Sequence, residues 1–469
     1  MCAKREDNSL RYRRAQSVTT AEDITEKENK ARRLQYDKPY LFHSISHFQF
    51  LQLSQTQGLS FLMEYGIRVN PFEWIIVLTG YNDENYKHEY PSIILLCFSG
   101  VPPVVCFLIE KAIAAEFFSD KLGETLQIIT ILLEISLPVI ALHFTNQEFN
   151  IVGISTACMV YLILFLKLWS YCQTNHWCRA AKSKQSNSLR RQSLSVPNSL
   201  PRFNVDAFQK HLQDVDDEVV TGIVQYPDNL KLGDLFYFLL APTLCYELNF
   251  PRTNRIRKRF LIKRIVEVIF GMNLVMALFQ QWMIPAVTNA LDPFSQMDYV
   301  RITERLLKLA IPNHLLWLCF FYLTFHSFLN LMGELLHFAD RNFYGDWWNA
   351  RNISVFWSSW NMPVHVWAVR HVYVPVTNMG YSKGVSAIMV FFISAFFHEY
   401  LVSVPLQMFR VWAFLGMMAQ PPLAVISKVF EWRLGARWGN MVVWSSLILG
   451  QPLAIMMYYH DYALTQMKP

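Results

Sequence analysis

Apolar residues fall in long unbroken blocks, not in the two-residue or 3.6-residue alternation of a water-soluble core. A spanning helix needs ~20 mostly apolar residues to cross a ~30 Å hydrocarbon layer. Eight stretches reach that length or nearly so: 92–109, 126–144, 151–171, 260–284, 309–330, 384–406, 409–427 and 440–459. Residues 41–66 are interrupted by Ser44, Ser46, Gln49, Gln52, Ser54, Gln55 and Gln57, and 72–79 is apolar but too short to cross alone. The pattern predicts an all-α polytopic membrane protein with eight clear spans and a ninth, poorly apolar one near the N-terminus. The polar stretch 172–226, rich in Ser, Asn and basic residues and then acidic at Asp214, Asp216, Asp217 and Glu218, is expected to be a flexible loop.

Composition strengthens this reading. Of 469 residues, 53% are hydrophobic and only 17% charged, against about a quarter charged in soluble domains. The net charge of +6 sits in a few loops, which suits anionic headgroups and phosphates; no basic and aromatic interleaving points to nucleic acid. The eight cysteines lie mostly in apolar runs without a CxxC pair, and no metal-binding spacing occurs, so they read as small apolar fillers. Residues 1–40 form a basic tail without an apolar signal region, expected to be disordered and cytosolic.

Loop Lys and Arg residues favour the cytosolic side. The N-terminus, the segment after 171 (Arg179, Lys182, Lys184, Arg190, Arg191) and the segment 331–383 (Arg341, Arg351, Arg370, Lys383) should therefore all be cytosolic. The sequon at Asn352 would then remain unglycosylated. Two crossings separate the second and third of these regions, as parity requires. Three separate the first and second, so 41–80 must hide a further crossing or the N-terminus lies on the other side.

Three features carry chemistry. His398-Glu399 lies about fifteen residues into its apolar helix, roughly 20 Å from its start at 1.5 Å per residue. An ionisable pair at that depth is costly and points to a functional site; the bland reading is a buried histidine satisfied by a neighbouring carbonyl. Desolvation favours the neutral imidazole that a general base requires. The second feature is an aromatic segment, Phe343-Tyr344-Gly345-Asp346-Trp347-Trp348-Asn349 followed by Phe356 to Trp367. An interfacial belt explains the rings, but the convergent Asp346, Asn349, Asn361, His365, Arg370 and His371 suit the mouth of a binding site. The third is a pair of glutamines in late apolar helices, Gln420 and Gln451, each either site wall or interhelical glue.

The run Phe-Tyr-x-Asp-Trp-Trp-Asn, carried by Phe343, Tyr344, Asp346, Trp347, Trp348 and Asn349, resembles the signature of the acyl-CoA branch of the membrane-bound O-acyltransferase family. The stretches Trp360-Asn361-Met362-Pro363-Val364-His365, Tyr226 to Leu230, Ala241 to Pro251 and Ser394 to Pro405 resemble its diacylglycerol-acylating members, with likeness from about residue 60 to the C-terminus. The resemblance implies nine membrane helices around a chamber in the bilayer of the endoplasmic reticulum, and assembly as a homodimer or homotetramer. It implies His398 as catalytic base assisted by Asn361, and an acyl-CoA site lined by Trp357, Ser358, Ser359, Trp360, Asn361, Met362, Pro363, Val364, His365, Tyr373 and Lys383. Glu399, Gln420 and Gln451 would support the chamber. Acyl-CoA is then a co-substrate, diacylglycerol the acceptor, and no cofactor or metal is expected. Relatives carry an arginine where this chain has Ala387, and the family's first membrane helix has no counterpart in 41–66. Sterol or wax-alcohol acylation, and a catalytically weak form lacking the first helix, are the neighbouring alternatives. A transporter is the rival from another class, but the chain shows no internal symmetry.

Overall fold

The computed structural model describes residues 70, 91–144, 149–194, 224–289 and 299–466. The N-terminal tail and the segments 41–66 and 72–79 lie outside the described residues. Among the described residues the chain is helical, with one isolated antiparallel bridge between Arg252 and Phe338 and no strand.

The helices, in chain order, are α1 (Pro91–Ala114), α2 (Asp120–Phe144), α3 (Ile151–Leu194), α4 (Leu232–Leu240), α5 (Lys258–Leu278), α6 (Tyr299–Leu335), α7 (Ile353–Ser359), α8 (Met362–Ala368), α9 (Lys383–Leu406), α10 (Trp412–Leu434) and α11 (Ala436–Gln466). α5 continues through a π turn to Thr288, and α8 through another to Asn378. Seven of these are long and apolar enough to cross a membrane: α1, α2, the Ile151–Ser183 part of α3, α6, α9, α10 and α11. The eighth expected span, 260–284, is helical, but Lys258, Arg259, Lys263, Arg264 and Glu267 crowd its first turns. It is not among the seven.

The loop expected over 172–226 begins instead as helix, because α3 runs on to Leu194. Asn175 and Arg179 of that stretch find partners on neighbouring elements. Arg179 donates to Glu110 of α1, which is fully buried and also accepts from Gln127 of α2 (2.8 Å) and the hydroxyl of Tyr226 (3.0 Å). The amide of Asn229 donates to Asn175 at 2.9 Å. A buried carboxylate surrounded by donors is tolerable where a bare one is not.

Within the bundle, α1, α2 and α3 pack on one another and α3 packs on α9; α5, α6 and α11 form a second group, and α10 joins α9 to α11. Polar groups inside apolar helices bind freed carbonyls, as a medium without water demands. Lys167, well inside α3, shows this most fully. Its ammonium donates to the carbonyls of Phe238 (2.9 Å), Leu239 (2.9 Å) and Ala241 (2.7 Å), covering the C-terminal end of α4 where orphan carbonyls and the negative end of the helix dipole lie.

Candidate active site

α9 begins with Ser382 as N-cap, its hydroxyl accepting from the amide of Val385 (3.3 Å), and Lys383 stands exposed in the first turn. Fifteen residues on, about 22 Å along the axis, the Nδ1–H of His398 donates to the carbonyl of Ser394 at 2.7 Å. A carbonyl only accepts, so this bond fixes the tautomer: in the neutral ring Nε2 carries the free lone pair. The ring itself is exposed, unlike its neighbours Ala395 and Tyr400.

Helical spacing identifies the side to which that ring turns. Phe391, Ser394 and His398 share one stripe of α9. Phe391 meets the indole of Trp357 edge-on at 6.1 Å, and the indole N–H of Trp357 donates to Gln420 of α10 at 3.2 Å. The neighbouring faces are occupied otherwise: Phe397 packs against Phe165 of α3, and the hydroxyl of Tyr400 donates to Ile135 of α2 at 3.0 Å. His398, Trp357 and Gln420 thus belong to one side of α9.

Glu399 serves a different purpose from its neighbour. Its carboxylate accepts from the backbone amides of Val411 (3.0 Å) and Phe414 (3.0 Å) at the start of α10, from the hydroxyl of Tyr458 of α11 (2.8 Å to either oxygen) and from the hydroxyl of Ser403. It caps α10 and ties three helices together. Val411 is left-handed there, at φ 48°.

The segment expected to line an acyl-CoA site is built on the signature run. The amide of Gly345 donates to Ser359 at 2.6 Å, and Met362 donates to Phe343 at 3.0 Å. A Cβ at Gly345 would lie 3.1 Å from that of Ser359, so this close approach favours glycine. Phe343, Tyr344 and Trp347 are buried, with Trp347 edge-on to Trp317 (5.2 Å) and Phe321 (5.1 Å) of α6. The carbonyl of Trp348 accepts from Asn440 (3.1 Å) and Trp444 (3.2 Å) of α11. Asp346 and Asn349 are exposed. The signature rings are therefore the footing on which the α7–α8 turn rests, and the turn itself carries the candidate site residues.

In that turn Asn361 is the N-cap of α8: its Oδ1 accepts from Val364 at 3.2 Å, leaving the Nδ2 donors without a partner among the described residues. Pro363 fits the first turn, where no amide partner is needed. Trp360 stacks on Trp317 at 5.3 Å. The hydroxyls of Ser358 and Ser359 both donate to the carbonyl of Val355 (3.0 and 2.6 Å) and so can only accept from a ligand. His365 and Tyr373 are half-buried and Val364 is exposed; burial lowers the His365 pKa. Gln451 accepts from Asn313 of α6 at 3.2 Å, an interhelical tie.

Two contributors escaped sequence reasoning. Nothing local to Tyr458 in the sequence signals its bond to Glu399. His371 appeared only as one polar group among rings, yet it is the joint between α8's continuation and α3: its Nδ1–H donates to Gln173 (2.6 Å), while the hydroxyl of Ser170 donates to Nε2 (2.8 Å). Burial, with Arg370 adding to it, lowers its pKa to about 3, so it stands neutral.

The sequence matches the model of the membrane-bound O-acyltransferase family over residues 139–460. It is 46% identical over 402 residues to diacylglycerol O-acyltransferase 1 of Bos taurus, covering 86% of this chain and 76% of that protein. The human protein of that name is 45% identical over 403 residues, with 86% and 76% coverage, and that of Dictyostelium discoideum 35% over 403, with 85% and 58%. A histidine presented by its own helix backbone, beside a turn seated on the signature rings, thus occurs in a chain that belongs to the membrane-bound O-acyltransferase family.

Proposed function

We propose that this chain transfers a fatty acyl group from acyl-CoA to the free hydroxyl of diacylglycerol, forming triacylglycerol, with His398 as general base. The observation that carries the reading is the Nδ1–H bond to Ser394, which leaves Nε2 as the proton acceptor. As Nε2 takes the hydroxyl proton, the oxygen attacks the thioester carbonyl and the C–S bond breaks. CoA leaves as a thiolate and receives the proton. Proton transfer of this kind contributes ~10²–10⁴-fold in rate. The amide nitrogen of Asn361, without a partner among the described residues, is suited to donate to the developing oxyanion. A good leaving group makes an acyl-enzyme unnecessary.

Acyl-CoA enters from the cytosolic side along Trp357 to His365, with Tyr373 and Lys383 nearby, and diacylglycerol comes laterally from the bilayer of the endoplasmic reticulum. The working assembly is a homodimer or homotetramer. The names of the relatives and the family membership support this choice of acceptor. The test supplies radiolabelled acyl-CoA to microsomes containing this chain, with diacylglycerol, cholesterol or a long-chain alcohol. Label should appear in triacylglycerol. Label predominantly in sterol or wax ester would replace the acceptor, and label in none would remove the reading.

A further inference from the structure

The segment that leads into α5 is the most basic part of the described chain. Arg252, Arg255, Arg257, Lys258, Arg259, Lys263 and Arg264 occur before the first acid, Glu267. The fold divides them into two sets. Arg257 and Arg264 turn inward: Arg257 pairs with Glu334 of α6 at 2.7 Å, Arg264 with Glu267 at 2.6 Å, and both guanidinium groups lie over the Phe260 ring at 4.6 and 4.8 Å. These hold the helix to the bundle. Arg255, Lys258 and Arg259 are exposed and have no ion pair among the described residues, and the exposed Lys263 lies 3.9 Å from Glu267. Among the described residues, Arg255, Lys258 and Arg259 therefore make no ion pair that would hold the helix to the bundle.

Their height in the membrane follows from the same helix. Arg259, Ile262, Val266, Ile269 and Phe270 share a stripe, and the four apolar members are 59–68% exposed. An apolar stripe so exposed in a membrane protein faces acyl chains. Arg259 stands one turn, about 5 Å, before its first member, and Lys263 lies beside it with a side chain long enough to reach back toward water. That is the level of phosphate headgroups. The basic segment also touches the short helix α4. Leu232, Phe236 and Leu240 form an exposed stripe at a spacing of four, and Arg252 lies over the ring of its Tyr237 at 4.2 Å, joining α4 to the basic segment. An apolar stripe next to unpaired cations is the pattern of a surface lying in the interface of an anionic leaflet.

We propose that α4 and the outward cations Arg255, Lys258, Arg259 and Lys263 form a binding surface for anionic phospholipid headgroups, separate from the acyl-transfer site. The ligand is the lipid phosphate with its net negative charge; the phosphates of CoA share that chemistry and are the alternative that the test must separate.

The full chain is placed in bilayer discs of phosphatidylcholine containing a small fraction of a headgroup-photoactivatable lipid, either phosphatidylserine or phosphatidylcholine, and labelled peptides are mapped. Labelling within 252–263 by the serine lipid should exceed that by the choline lipid by at least about fivefold, the ratio expected for roughly 1 kcal/mol per cation. High salt should remove the excess, as should the triple variant Arg255→Gln/Lys258→Gln/Arg259→Gln. The charge-preserving variant Arg255→Lys/Lys258→Arg/Arg259→Lys should keep it. Equal labelling by the two lipids, or an excess that survives the triple variant, overturns the proposal. If adenosine 3′,5′-bisphosphate removes the excess at low salt, the surface belongs to CoA and the lipid assignment fails. Salt dependence on the unaltered chain keeps the test valid should the triple variant not fold.

Discussion

In the neutral ring of His398 the proton resides on Nδ1 because the Ser394 carbonyl, one turn earlier in the same helix, accepts it. The imidazole is thereby oriented from within its own helix. Replacing His398 with Ala should lower acyl transfer by ~10²–10⁴-fold while expression and membrane insertion stay normal; near-normal turnover of the purified variant would end the proposed chemistry. Asn361 allows a finer separation, since its oxygen caps α8 while its nitrogen has no partner among the described residues. Asn361→Asp preserves the cap and removes the donor, so turnover should fall by about 10²-fold with little change in the KM for acyl-CoA. Asn361→Ala should additionally cost about 1 kcal/mol in stability through the lost cap. An affinity loss at constant turnover in the Asp variant would make Asn361 a binding residue only. His371 predicts a pH dependence. Its folded pKa, about 3, lies below its ordinary 6.5, so the unfolded chain binds the extra proton between those values. Its contribution is complete above pH 6.5 and falls away as pH drops toward 3, by about 2 kcal/mol at pH 5. Melting curves of the detergent-solubilised protein at pH 7.5 and pH 5 should show this loss, and His371→Gln should flatten that part of the dependence. Of these residues, His398 was legible in the sequence because an imidazole amid apolar neighbours is conspicuous. The Ser394 carbonyl and the Gln173–Ser170 partners of His371 were not, since backbone acceptors and distant helices leave no local trace.

Among the elements, α9 has the most partners that cannot be read from its own sequence. Glu399 was legible as a costly carboxylate, but its meaning comes from residues 411, 414 and 458, which close around it only when α10 and α11 return. Glu399→Ala removes these acceptors and strands the buried hydroxyl of Tyr458, at about 1–3 kcal/mol for such an unsatisfied group. The expected result is a clear fall in melting temperature together with lost activity. Glu399→Gln should recover more of the stability than Ala; equal melting of the Ala variant and the parent would show that α10 is positioned by packing alone. The signature run illustrates the opposite case. Its pattern was easy to recognise, but its rings form packing against α6 and α11, and the candidate ligand-facing groups lie in the turn it supports. Aromatic composition does not distinguish a wall from a footing.

For the molecule as a whole, long apolar blocks revealed seven spans with bounds shifted by a few residues, because blocks of lipid-facing side chains must be apolar whatever packs behind them. Composition was a poorer guide where the chain leaves the membrane. Residues 172–194 looked like a solvated loop but continue α3, and Arg179 from that stretch holds the fully buried Glu110 of α1. Arg179→Ala would strand that carboxylate, for which a loss of about 3–5 kcal/mol is expected. Thermal stability in detergent should drop accordingly, and Glu110→Gln in the same chain should restore part of it; no loss in the single variant would return the segment to the status of a surface extension.

The grip on Glu399 has a kinetic corollary. Because the residue next to the base is held by groups from α10 and α11, α9 can neither turn about its axis nor slide by a step without releasing all of them at once. On the chemistry proposed above, the imidazole stays where it is and both lipids come to it, because Glu399 fastens its helix to two others.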